Sequence, residues 1–79
     1  MPTVLTYRGI RFYFYSLEGN EPIHIHMSKG NAFGKIWIEP CLSVEYLYNF
    51  THAEVRDIFW ILEKNIPYIK TKWHEHFAS

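Results

Sequence analysis

From Glu21 to Pro40 the chain reads EPIHIHMSKGNAFGKIWIEP, two runs in which apolar and polar residues change places at every step. Ile23, Ile25 and Met27 alternate with His24, His26 and Ser28; further on, Ile36 and Ile38 alternate with Lys35, Trp37 and Glu39. Period-two alternation marks a strand with one buried face. The pair therefore predicts a β-hairpin, with Gly30, Asn31 and Gly34 supplying the turn chemistry. A symmetric hairpin sets His24 opposite Glu39, His26 opposite Trp37 and Ser28 opposite Lys35, unless a bulge at Gly34 shifts it.

The same alternation occurs upstream, where Ile10, Phe12 and Phe14 are interleaved with Arg11, Tyr13 and Tyr15. Glu18, Gly19, Asn20 and Pro22 then make the loop into the hairpin. Val4 and Leu5 suit a short edge strand begun by Pro2. Leu42 to Tyr48 fits either a strand or a helix turn and is read as a fourth, irregular edge strand. The expected fold is α+β, a small antiparallel sheet of three to four strands. One face collects Ile10, Phe12, Phe14, Ile23, Ile25, Met27, Ile36 and Ile38. The other collects Arg11, Tyr13, Tyr15, His24, His26, Lys35, Trp37 and Glu39, and is expected to be a wet, functional or interfacial surface.

Helical spacing takes over after Phe50. Thr51 followed by Glu54 is a capping-box pattern, and Phe50 with Val55 sits where a hydrophobic staple would be. Val55, Ile58, Phe59, Leu62 and Ile66 recur at intervals of three and four, and Ile69, Trp73 and Phe77 continue the phase. Pro67 removes an amide donor and restricts Ile66, so two helical segments meeting near Asn65 to Pro67 are predicted to cover the apolar face.

Composition narrows the function classes. Seventy-nine residues make a single domain, 1–79, with a modest core. Cys41 is the sole cysteine, so no internal disulfide supports it and a homodimer is the expected supplement. Aromatics at 19% exceed what so small a core needs, which points some of them to an interface. A formal net charge of zero argues against a general polyanion binder. With no leader-like segment, no run of membrane-spanning length and one cysteine, a cytoplasmic protein away from membranes is expected.

The order Glu21-Pro22, His24-x-His26, Lys29-Gly30, Lys35-x-Trp37, Pro40, Phe50-Thr51 and Trp73-His74-Glu75 resembles a small prokaryotic family, domain of unknown function 4160, over essentially the whole chain. That family's pattern is EPPHVHV…KFWLEP…WHEFF; here Ile23 replaces the second proline and His76 an aromatic. The resemblance brings no catalytic residues with it. It implies a partner, because relatives are often encoded beside another small protein in an arrangement like that of toxin–antitoxin pairs.

Three chemistries fit the residues. His24 and His26 can act as acid and base on an RNA phosphodiester, with Lys35 or Arg11 stabilising charge and Trp37, Tyr13 or Tyr15 stacking a base. Lys29 with Gly30 offers a phosphate-contacting loop or a plain solvated turn. Alternatively His24, His26 and Glu39 hold a divalent metal. The third reading is a non-catalytic module whose second sheet face binds a partner protein or a second copy. Cys41 reads as a small hydrophobe, Trp73 as core, and His52, His74 and His76 have no assigned role.

Overall fold

The structure, a computed structural model, describes residues 3–16 and 19–78; the expected roles of Pro2 and Glu18 lie outside the described residues. Five strands, β1 (Thr3–Tyr7), β2 (Ile10–Tyr13), β3 (His24–Lys29), β4 (Ala32–Trp37) and β5 (Ser43–Tyr48), precede helices α1 (His52–Lys64) and α2 (Ile66–Phe77). The strands lie in sequence order in one antiparallel sheet. The fold is thus α+β as expected, but with five strands rather than three to four. Both flanking runs join. β1 does so through Arg8 and Gly9, whose φ of 51° and 81° are those of a tight hairpin turn with both central residues left-handed. β5 does so across a register shift between Lys35 and Ile36.

That shift changes the reading of the last strand. Val44 pairs with Ile36 and shares its helix-covered face, whereas Tyr46 and Tyr48 pair with Lys35 and Phe33 on the opposite one. Simple alternation from Leu42 to Tyr48 would have put them together; the extra residue at Glu45 separates them.

The central hairpin closes more tightly than the symmetric reading supposed. Lys29 pairs with Ala32, leaving only Gly30 (φ 59°) and Asn31 in the turn. His24 therefore stands opposite Trp37, His26 opposite Lys35 and Ser28 opposite Phe33, each two residues away from the expected partner. A shift of two preserves the faces, because side chains alternate with period two. Gly34 is a strand residue opposite Met27, neither turn nor bulge. A Cβ on it would collide with the Leu47 side chain and lie 2.9 Å from the Tyr46 carbonyl oxygen and 3.0 Å from Met27 Sδ.

All eight residues assigned to the apolar face are buried, and Ile58, Leu62, Ile69 and Trp73 close over them from the helices. Contacts trace the helices across the strands. Thr51 accepts from the Glu54 amide while the Glu54 carboxylate accepts from the Thr51 amide, completing the capping box that starts α1. Glu54 then meets Lys29 at 2.8 Å, Asp57 meets Arg8 at 3.5 Å, and Trp60 stacks on Tyr7, so α1 passes from the β5 side to β1. The chain breaks at Asn65, ahead of Pro67 in the first turn of α2. Returning, α2 brings Lys70 within 3.3 Å of Glu39 and Trp73 against Phe14.

Two outcomes follow from this packing. Gly34→Ala forces a methyl group into backbone and packed side chains, and should cost about 1–3 kcal/mol, lowering the melting temperature by roughly 4–8 °C per kcal/mol in a domain of this size. The Lys29 ammonium, aided by the Thr51 amide, holds the Glu54 carboxyl below its ordinary 4.5. A carboxyl depressed on folding stabilises the fold above its unfolded pKa and loses that contribution as pH falls through the lowered folded value. In urea titrations between neutral and acid pH, Glu54→Gln should be less stable than the parent at neutrality, and the two should converge in acid.

Candidate functional site

The second face of the sheet is a grid set by strand register. One row runs Tyr13, His26, Lys35, Tyr46 from β2 to β5; the next runs Arg11, Ser28, Phe33, Tyr48. At the far end His24, Trp37 and Ser43 form a third. Alternation alone placed Arg11, Tyr13, His24, His26, Lys35 and Trp37 on this side, and the pairing brings them into contact.

His26 lies at the centre, its ring 4.2 Å from that of Tyr15, 5.9 Å from Tyr13 and 5.2 Å from His24. His24 in turn meets Trp37 edge to face at 5.2 Å. Lys35 Nζ sits 4.4 Å from the Trp37 ring centre, and Arg11 lies 4.5 Å over Tyr13. The polar ends of this cluster are tied down: Lys35 is 3.1 Å from the Glu21 carboxylate, Arg11 donates to Thr3 Oγ1 at 2.7 Å, and the Trp37 indole donates to Glu45 at 2.9 Å.

Contrary to the expectation of a wet surface, the histidines are enclosed. His24 is 0% exposed and His26 3%. What closes over them is the return from β2 to β3. Tyr15 packs on His26, Glu21 reaches Lys35, and Gly19 is held against Phe77 at the end of α2. Trp73 completes the enclosure from the helical side, its ring 5.1 Å from His24. Sequence reading assigned Trp73 to the core only; its i+4 spacing from Ile69 gives no sign that it also walls the histidine cluster. Glu21 and Glu45 were likewise missed as the carboxylates that pair with the cluster's Lys35 and Trp37.

His24 Nδ1 is 2.9 Å from the Pro22 carbonyl oxygen. A carbonyl only accepts, so Nδ1 carries hydrogen and the neutral ring keeps its lone pair on Nε2. That is the tautomer a proton acceptor or metal ligand would use. The expected third metal ligand is elsewhere, however, because β4 ends at Trp37 and Glu39 pairs with Lys70 rather than crossing to His24. Among the described residues, no three His, Cys, Asp or Glu side chains gather as a metal-binding group. Lys29 is also apart: it projects on the helix side, paired with Glu54 at the start of α1.

Beyond Lys35 the same face is open. Phe33 (46% exposed) and Tyr48 (54%) have ring centres 5.1 Å apart, and Tyr46 stacks on Tyr48 at 5.6 Å. These three were not among the predicted site residues, although Phe33 shares a parity with Lys35 and Trp37 that would have placed it on this face. A cavity of about 270 Å³ between β1 and α2, lined by Val4, Phe14, Tyr68, Lys72 and His76 among others, includes none of the predicted residues. Among the described residues, no helix is long and apolar enough to cross a membrane.

No curated protein and no solved structure matches the chain. A family model does, over residues 9–74, from the end of the first turn through β2 to β5 and α1 and into α2 as far as His74, with β1 outside the match. The histidine cluster, its Trp37 and Trp73 walls and the open aromatic strip all fall inside that match, and the chain belongs to the family described as domain of unknown function DUF4160.

Proposed function

We propose that this protein is a protein-interaction module, the binding member of a two-protein pair of the toxin–antitoxin kind, docking its partner on the open β4–β5 half of the second sheet face. The observation that carries this reading is the division of that face. The imidazoles are sealed, while Phe33, Tyr46 and Tyr48 stand side by side with two of the three rings about half exposed. Contiguous exposed aromatics with few charges among them are the composition of an interface centre. The nearest cation, Lys35, is only 14% exposed along its side chain and already paired with Glu21, which suits a protein surface better than a phosphate backbone.

The RNA-directed reading keeps one observation in its favour. Two histidines, three aromatic rings and two cations do converge around His26, in the mixture that base stacking and phosphodiester chemistry require. For a nucleotide to reach them, Tyr15 and Glu21 must move away, breaking the Lys35–Glu21 contact and the Tyr15–His26 packing. Metal binding has no comparable support, since Glu39 is engaged by Lys70.

If, as for relatives, a small protein is encoded beside this one, co-expression with it separates these readings. Phe33→Ser should weaken the complex by at least about tenfold, as expected for a truncated interface aromatic, while the melting temperature moves little. His26→Ala should lower stability by about 2–4 kcal/mol as a buried ring is removed, yet leave the affinity of the folded fraction unchanged. Cleavage of a labelled single-stranded RNA by the parent, lost in a folded His24→Asn variant, would overturn the module reading in favour of the enzyme.

A further inference from the structure

The two edges of the sheet are built differently. Along β1 the register shifts between Thr3 and Leu5, the Tyr68 hydroxyl donates to the Val4 carbonyl at 3.2 Å, and Trp60 stacks on Tyr7. A bulged strand with a capped carbonyl and helical side chains alongside is a poor template for another strand. β5 is bulged too, at Glu45, but among the described residues no helical ring stacks on its aromatics. It runs Ser-Val-Glu-Tyr-Leu-Tyr, with no proline, lysine or arginine. Its one acid, Glu45, is turned back over the sheet to accept from the Trp37 indole. Val44 on the helix side is 46% exposed and Tyr48 on the open side 54%, so both flanks of this edge present apolar surface.

We propose that β5 pairs antiparallel with β5 of a second copy, joining two domains into a ten-stranded sheet. This rests on the reading of the protein as an interaction module and names one of its partners. A second copy fits because the strand complements itself. With the two-fold axis at Leu47, each Tyr46 stands opposite Tyr48 of the second copy on the open face, and cross-strand aromatic pairs are among the favourable ones. In the same register Glu45 falls opposite Asn49 rather than the other Glu45, so the only charge on each strand meets no like charge. The chain as a whole carries no net charge to oppose association.

Geometry also sets what the dimer looks like and why it stops at two. Antiparallel pairing about an axis perpendicular to the sheet brings like faces together, so all four helices share one side. The two Phe33, Tyr46 and Tyr48 clusters then merge into one aromatic surface on the other. Both free edges of the joined sheet are then β1, so continued growth would need β1 to meet β1, and that edge is capped by Tyr68.

Light scattering on the purified chain over a dilution series should give twice the 9.5 kDa chain mass at the concentrated end, falling to one chain on dilution. Amide hydrogen exchange should show the outward-facing amides of β5, those not bonded to β4, protected in the dimer and fast in the monomer. Val44→Lys, which alters the edge without touching the open face, should return a folded monomer, and Trp60→Lys on the capped side should leave the dimer intact. A chain that is monomeric throughout, or a dimer whose outward-facing β5 amides exchange as fast as the monomer's, overturns the pairing. If that monomer still binds its partner and loses it on Phe33→Ser, the proposed function stands without the dimer. A dimer that forms while Phe33→Ser leaves partner binding untouched overturns the docking face instead.

Discussion

A sheet has two faces, and this chain has one layer of helices with which to cover them. The constraint matters most at β3, the middle strand of five, where His24, Ile25, His26 and Met27 are buried in succession. On the helix side the burial is ordinary aliphatic packing. On the other side no element of regular structure is available, and the chain meets the demand with rings: Tyr13, Tyr15 and Trp37 from the sheet side, and Trp73 reaching round from α2. Imidazole suits such a position, being flat enough to pack edge to face with aromatics while its nitrogens take hydrogen bonds, as Nδ1 of His24 does with Pro22. The His-x-His signature is thus first a solution to covering the middle of a small sheet.

What the alternation of the chain makes legible is which side each residue occupies. Every residue from Ile10 to Ile38 assigned to the apolar face is buried there, and the capping box and the break before Pro67 lie where the helix signals place them. Parity survives errors of register, because a hairpin closed two residues tighter still sends His24 and His26 to the same side. Exposure is different. Whether a face is wet depends on segments that carry no periodic signal, here the return from β2 to β3, whose Tyr15 and Glu21 fold over the histidines. A loop of glycine, asparagine and proline reads as a connection, and nothing in its composition marks it as a cover.

The edge strand read at Leu42 to Tyr48 is there, irregular as expected, but the same limit hides which side its residues take. Leu42, Val44, Tyr46 and Tyr48 form an unbroken alternation in sequence, yet one extra residue at Glu45 turns Val44 toward the helices and the tyrosines away from them. Bulges are invisible to pattern, since they are defined by the partner strand's count rather than by residue type. Gly34 is the converse case. Composition marks it as a turn residue, yet it is a strand residue, glycine because Leu47 and the Tyr46 carbonyl occupy the space a side chain would need.

Division of the second face into a sealed half and an open half also bears on how function and stability are separated in so small a protein. Changes at His24, His26 or Trp73 disturb rings that pack on one another and on the core through Phe14, so their effects on any activity arrive mixed with effects on folding. Phe33 and Tyr48 touch mainly each other and Tyr46 at the rim, and about half of each ring's residue is already in water. A domain near the lower limit of size has little stability to spare. On the proposed reading, recognition by the rim aromatics lets the contact surface vary without loosening the strand on which the whole sheet is centred.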